Sequence, residues 1–152
     1  MQFKGFKLPV NIVNPIKEIN PLKGKANTKK GTVLIGGKEI YFRSGWEANI
    51  AAYYEWLKVK KEIKDWFYEP KTFWFLAIKR GVRSYKPDFL IIENNGKEYF
   101  DEVKGYMDSK SATKIKRMKK YYPEIDLRVL DKERYNEIKK LKQIIPNWGL
   151  LD

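Results

Sequence analysis

The chain has 152 residues, with 32 Lys and Arg against 19 Asp and Glu, and its net charge of +13 favours polyanionic partners such as nucleic acid. It contains no cysteine and no histidine, which excludes a disulfide framework, thiolate or imidazole chemistry, His- or Cys-based zinc sites and the serine-histidine triad. Any hydrolytic chemistry must therefore run on carboxylates, lysine and a hard cation such as Mg²⁺.

Residues 1–31 carry Pro9, Pro15 and Pro21 and the run KGKANTKKG, and read as a basic N-terminal arm. The opening MQFKGFKLPVNIVNP lacks an apolar stretch and a small-residue cleavage site, so no secretory leader is expected. No apolar run approaches the roughly 20 residues needed to cross a bilayer, and a cytoplasmic protein without membrane contact is expected. Residues 32–152, in a chain 43% hydrophobic and 15% aromatic, suffice for one domain with a real core.

Within that domain, TVLIGGKEIYF predicts a hairpin turning at Gly36-Gly37. The stretch RSGWEANIAAYYEWLKVKKEIKDW predicts a helix, because Trp46, Ile50, Tyr53, Tyr54 and Leu57 recur at spacings of three and four. Ser44 is its N-cap, and Glu47 completes a capping box. Two extended runs follow, at about 71–79 and 84–92, separated by a turn at Arg80-Gly81. A turn at Asn94, Asn95 and Gly96 leads into KEYFDEVKG, a strand ended by Gly105.

A second helix is predicted over Ser109 to Tyr122, stopped by Pro123, with Asp108 available as a cap. Its surface carries Lys110, Lys114, Lys116, Arg117, Lys119 and Lys120, six bases in a short span that suit phosphate contacts independent of sequence. EIDLRVLD predicts a fourth strand, and Asp131 caps a last helix over about 132–144. The order implies an α/β fold, a mixed β-sheet flanked by helices. The tryptophans at 46, 56, 66, 74 and 148 are assigned chiefly to the core or a dimer interface, with base stacking by an exposed ring as the alternative.

The acids of SYKPDFLIIENNGKEYFDEVKGYMD stand out in so basic a chain. Alternation along a strand puts Glu102 and Lys104 on one face, about 7 Å apart at roughly 3.3 Å per residue, with Asp101 and Val103 on the other. The hairpin brings Asp88 to the same end. Two adjacent carboxylates raise one another's pKa unless a cation lies between them. A divalent metal held by Asp88, Glu102 and the Val103 carbonyl would resolve that conflict, with Lys104 orienting the attacking water. Asp101 is read as a solvated residue of the opposite face, and Glu69 chiefly as a surface acid at a loop entry, with approach to the cluster from the neighbouring strand as the alternative.

Pro87-Asp88 and Glu102-Val103-Lys104 resemble the two halves of the PD-(D/E)XK nuclease superfamily motif. YKPDFL, the EVKG ending, YYPEIDLRVL and the upstream FRSGWE resemble, in order and spacing, the phage endonuclease I family of Holliday-junction resolvases, over roughly residues 41–130. That resemblance implies a restriction-endonuclease-like core over 32–152 and a catalytic set of Glu47, Asp88, Glu102 and Lys104, with Glu47 joining the metal ligands. Periodicity alone assigns Glu47 to helix capping. The resemblance further implies Arg43 as a phosphate clamp, Mg²⁺ with Mn²⁺ able to substitute, no small-molecule cofactor, and a homodimer acting on four-way or other branched DNA. A sequence-specific nuclease of the same superfamily, such as a homing, restriction or transposon-end enzyme, and a non-catalytic DNA-binding domain are the alternatives.

Overall fold

The computed structural model describes residues 29–152, so all but the last three residues of the expected arm lie outside the described residues, and Gly31 already belongs to the first strand. Gly36 and Gly37 both take left-handed φ values, 59° and 76°, which only glycine adopts freely. They join β1 (Gly31–Ile35) to β2 (Lys38–Phe42) as an antiparallel hairpin. Ser44 then caps α1 (Gly45–Val59), its hydroxyl accepting from the Glu47 amide at 3.1 Å.

The helix is shorter than its apolar spacing predicts. Lys60 is the C-cap and Lys61 turns the chain at φ 59°, so residues 65–68 form a strand, β3 (Asp65–Tyr68), instead of a last helical turn. Ile63 and Trp66 are buried in the same core as α1, so the apolar pattern continues after the helical backbone has stopped. Of the two predicted extended runs, 71–79 is mostly irregular and 84–92 is interrupted by three residues. β4 (Phe73–Trp74) and β5 (Ser84–Tyr85) pair as a separate two-stranded ladder with Trp74 opposite Ser84. Pro87, which has no N–H to give a ladder, separates β5 from β6 (Phe89–Ile92).

Past the turn at Gly96, which has φ 83°, runs β7 (Glu98–Val103). Asp108 caps α2 (Ser109–Tyr121), accepting from the Ser111 amide at 2.7 Å, and that bond holds its carboxyl below the ordinary value. Next come β8 (Leu127–Leu130) and α3 (Lys132–Lys139), the latter capped by Asp131. The predicted extension of α3 to about residue 144 is a series of turns.

The described residues thus form a mixed α/β fold with three helices. Its main sheet has the order β3-β6-β7-β8, antiparallel except for the parallel pair β7 and β8 that α2 connects. Both faces are covered. Phe89, Ile91, Tyr99 and Val103 pack with Ile50 and Tyr54 of α1 and with Tyr135 and Ile138 of α3. Phe100 packs on the other side with Met118 of α2 and with Phe73, Phe75 and Tyr85 of the β4–β5 ladder. Asp101, expected in solvent, is therefore completely buried under α1 and α3. Among the described residues no helix is long and apolar enough to cross a membrane.

Candidate active site

The last pair of the β6–β7 ladder is Phe89 with Asp101, so Asp88 and Glu102 are the next residues along each strand and share its end. Each is only 5% exposed. An Asp88 carboxylate oxygen accepts from the Val103 amide at 2.8 Å, so Val103 enters the site through its N–H. Glu102 accepts from the Tyr85 hydroxyl at 2.6 Å and lies 3.5 Å from the Lys104 ammonium. The Lys104 backbone is fixed in turn by its amide, which donates to the Leu130 carbonyl of β8 at 3.0 Å.

Burial raises the Asp88 pKa well above its ordinary value; Glu102 and Glu47 add to the rise, against the Val103 amide and Lys104. Burial also raises Glu102, opposed by the Tyr85 hydroxyl, Lys104 and Lys114. The Tyr85 hydroxyl is itself pushed far up, by burial first and by the Glu102 charge second, so it stays a donor to Glu102 across the working pH range. Two buried acids with incomplete compensation thus meet at one strand end.

Glu47 stands at the first turn of α1. Its carboxylate accepts from the Tyr68 hydroxyl at 2.6 Å and from the Arg43 amide at 3.3 Å. In a capping box the returning bond goes to the cap residue's own N–H; here it goes one residue further back, and Tyr68 takes a share. The Arg43 guanidinium is paired with Glu69 and lies 3.7 Å from Asp88. Glu69, expected as a surface acid, is a half-buried counter-ion at the rim. Its amide donates to the Asp88 carbonyl at 2.8 Å, and it also faces Lys86 at 3.7 Å. The two halves of the site touch where Gly105 lies against the Trp46 indole, so closely that a Cβ at 105 would sit 3.0 Å from the ring.

A cavity of about 360 Å³ brings the four predicted catalytic residues, Glu47, Asp88, Glu102 and Lys104, together with Arg43 and Lys114. Ser84, Tyr85 and Lys86 complete its lining. These three and Tyr68 are the residues the sequence reading missed. The only local signal is that the run SYKPD carries Ser84, Tyr85 and Lys86 directly up to Asp88.

Among the described residues no three His, Cys, Asp or Glu side chains form a group that could hold a metal ion. The Asp88–Glu102 pair by itself fits a hard cation: it offers oxygen donors whose mutual repulsion a divalent ion would relieve.

The six bases of the second helix divide. Lys114 lines the cavity, its ammonium 5.7 Å from the Tyr85 ring centre. Lys110, Lys116, Lys119 and Lys120 lie on the exposed surface of α2. Arg117, predicted to meet phosphate, is half-buried and donates to the Val82 carbonyl, tying α2 to the chain between β4 and β5. The chain matches no family model, no curated protein and no solved structure.

Proposed function

We propose that this protein is a metal-dependent endodeoxyribonuclease that hydrolyses phosphodiester bonds in branched DNA, a junction resolvase of phage or mobile-element type acting as a two-fold dimer. One observation carries the reading: Asp88 and Glu102 are buried together with raised pKa values, beside Lys104, in a cavity lined by further cations. Perturbed carboxylates in a cleft are a mark of functional sites. The restriction-endonuclease-like core belongs to this proposal, as the role of the β6–β7 hairpin with α2 and β8.

Arg43, Lys86, Lys104 and Lys114 draw a phosphodiester into the cavity and offset its charge. Tyr85 holds Glu102, and the Val103 amide holds Asp88, so both carboxylates are oriented before substrate arrives. Lys104, kept close to Glu102, orients the water that attacks phosphorus and donates to a phosphoryl oxygen as charge builds there. A divalent cation, Mg²⁺ or Mn²⁺, held by Asp88, Glu102 and the Val103 carbonyl with Glu47 alongside, supplies Lewis-acid polarisation when bound. Two copies follow from the task, because symmetric resolution needs two nicks and a C2 dimer presents two sites.

The test is cleavage of a synthetic four-way junction, a linear duplex of matching sequence and single strands, with Mg²⁺ or EDTA, by the wild type and by Lys104→Ala and Asp88→Asn. Paired nicks on the junction, absent in EDTA and in both variants, are the expected result. Cutting at one sequence in the linear duplex would assign a sequence-specific enzyme of the same chemistry. Tight DNA binding with no metal-dependent product would leave a binding domain and end the enzyme reading.

A further inference from the structure

Trp74 departs from the other tryptophans. Trp66 is buried, and Trp46, Trp56 and Trp148 are partly buried against the core, whereas Trp74 is 57% exposed. Leu76, two residues on, is 92% exposed. Neither exposure reflects a loose loop. Phe73 and Phe75, the residues flanking Trp74, are buried, and Phe73 packs edge-on against Phe100 and Tyr122. The Tyr122 hydroxyl donates to the Trp74 carbonyl at 2.6 Å, and the Phe75 amide donates to the Arg83 carbonyl at 2.8 Å. The backbone is held on a buried aromatic base while the indole stands in solvent.

Its place relative to the cavity is fixed by register. Trp74 pairs with Ser84, and residues directly opposite on antiparallel strands point to the same face with Cα atoms about 4.5–5.5 Å apart. Ser84 lines the cavity. The Trp74 backbone is thus one strand away from a residue of the cavity wall, with the indole on the ladder face opposite the buried Phe73 and Tyr85 side chains. Around it, residues 71–86 contain Lys71, Lys79, Arg80, Arg83 and Lys86, all exposed, and no acid.

We propose that Trp74 is a stacking platform for an unpaired nucleobase beside the phosphodiester held in the cavity, with Lys79, Arg80 and Arg83 contacting the flanking phosphates. This rests on the nucleic-acid reading above. A flat π-face accepts any base without reading sequence, and a duplex with every base stacked offers it nothing. The platform would thus favour DNA with an opened base at a branch over intact duplex. A second copy of this chain fits the surface poorly, because interface cores are depleted of charge and two such patches would oppose five cations to five.

The experiment measures binding in EDTA, so that it is independent of cleavage. Fluorescence anisotropy would compare a four-way junction, a single strand and a linear duplex for the wild type, Trp74→Ala and Trp74→Phe, with circular dichroism to confirm folding. Trp74→Ala should weaken junction and single-strand binding by about 5- to 100-fold, the usual range for losing one stacked base, with duplex binding within about twofold. Trp74→Phe should recover most of the loss. Arg80→Gln should weaken all three DNAs together and flatten the salt dependence. Unchanged single-strand and junction binding in a folded Trp74→Ala protein overturns the platform while leaving the nuclease reading intact. So does an equal loss on all DNAs accompanied by dissociation of a dimer in sedimentation, which would make Trp74 an interface residue. Failure of the wild type to bind any DNA overturns both.

Discussion

Asp101 and Glu102 are neighbours on β7 and both are buried, yet the sheet treats them oppositely. On the α1 and α3 face, Asp101 accepts from the Tyr54 hydroxyl and lies 3.2 Å from the Arg134 guanidinium. Arg134 answers it: burial would lower its pKa, but Asp101 and the neighbouring tyrosines more than offset that and raise it. The Tyr54 hydroxyl is pushed well above its usual value, by burial and then by the same carboxylate, and serves as a permanent donor. On the other face, Glu102 meets a second buried acid, Asp88, and both are pushed up. An acid supplied with a half-buried arginine pins a helix to a sheet. A pair of acids crowded together in a buried place, where the nearby cations only partly offset desolvation, is costly to fold around and useful for holding a further cation.

The sharpest way to break the contrast is to remove the arginine. Arg134→Leu strands Asp101 in the core with one hydroxyl for company, and should cost about 3–5 kcal/mol in urea unfolding. A loss below about 1 kcal/mol would mean that Asp101 is not held by that pair. On the opposite face, Lys104→Ala removes a side chain only partly buried, so stability should change by less than about 0.5 kcal/mol while the cleavage rate falls by about 10²- to 10³-fold. If melting temperature and rate fell together, Lys104 would be a structural residue.

The third prediction has the opposite sign. Asp88→Asn should stabilise the protein in EDTA by roughly 0.5–2 kcal/mol while abolishing cleavage, because it removes charge from a crowded site and keeps an acceptor for the Val103 amide. The pH dependence follows from the raised pKa. Below the ordinary value of 3.8 the carboxyl is protonated in both folded and unfolded chains, and its contribution to stability is fully present. As pH climbs from there through the elevated native value, the unfolded state ionises first and that contribution is lost. The advantage of Asp88→Asn over the wild type should thus grow with pH and vanish below about pH 4; a gap independent of pH would refute this account. Smallest is Tyr85→Phe, which deletes one hydrogen bond to Glu102. It should slow cleavage by about five- to tenfold and raise the Mg²⁺ concentration needed, with the product pattern unchanged.

The helix starts, the hairpin turns and the carboxylate pairing were readable because their causes are local. Gly36-Gly37, Ser44, Asp108 and Asp131 act within one turn of themselves, and the turn at residues 94–96 sets the register that carries Asp88 to Glu102. What escaped depends on distant partners. Alternation says which way Asp101 points but not that α1 and α3 roof that face, so Tyr54 and Arg134 could not be anticipated as its partners. Tyr68 and Tyr85 reach carboxylates 21 and 17 positions away, with no spacing rule to announce them. Arg117 sits in a lysine-rich run that reads as solvated, yet its acceptor is a carbonyl 35 residues upstream. The end of α1 was misplaced because burial of Ile63 and Trp66 imitates helical periodicity after Lys61 has turned the chain.

The contact between Gly105 and Trp46 gives the site a built-in spacer of one atom. Glu47 follows Trp46 on a helix and Lys104 precedes Gly105 just past the end of β7, so the gap between those two backbones is set where an indole rests on a residue without a side chain. A methyl group at 105 would act as a shim, prying the glutamate's helix from the segment that carries the lysine by a few tenths of an ångström without touching any charged group. Position 105 is therefore a place to tune the aperture of the site mechanically, leaving its chemistry as it is.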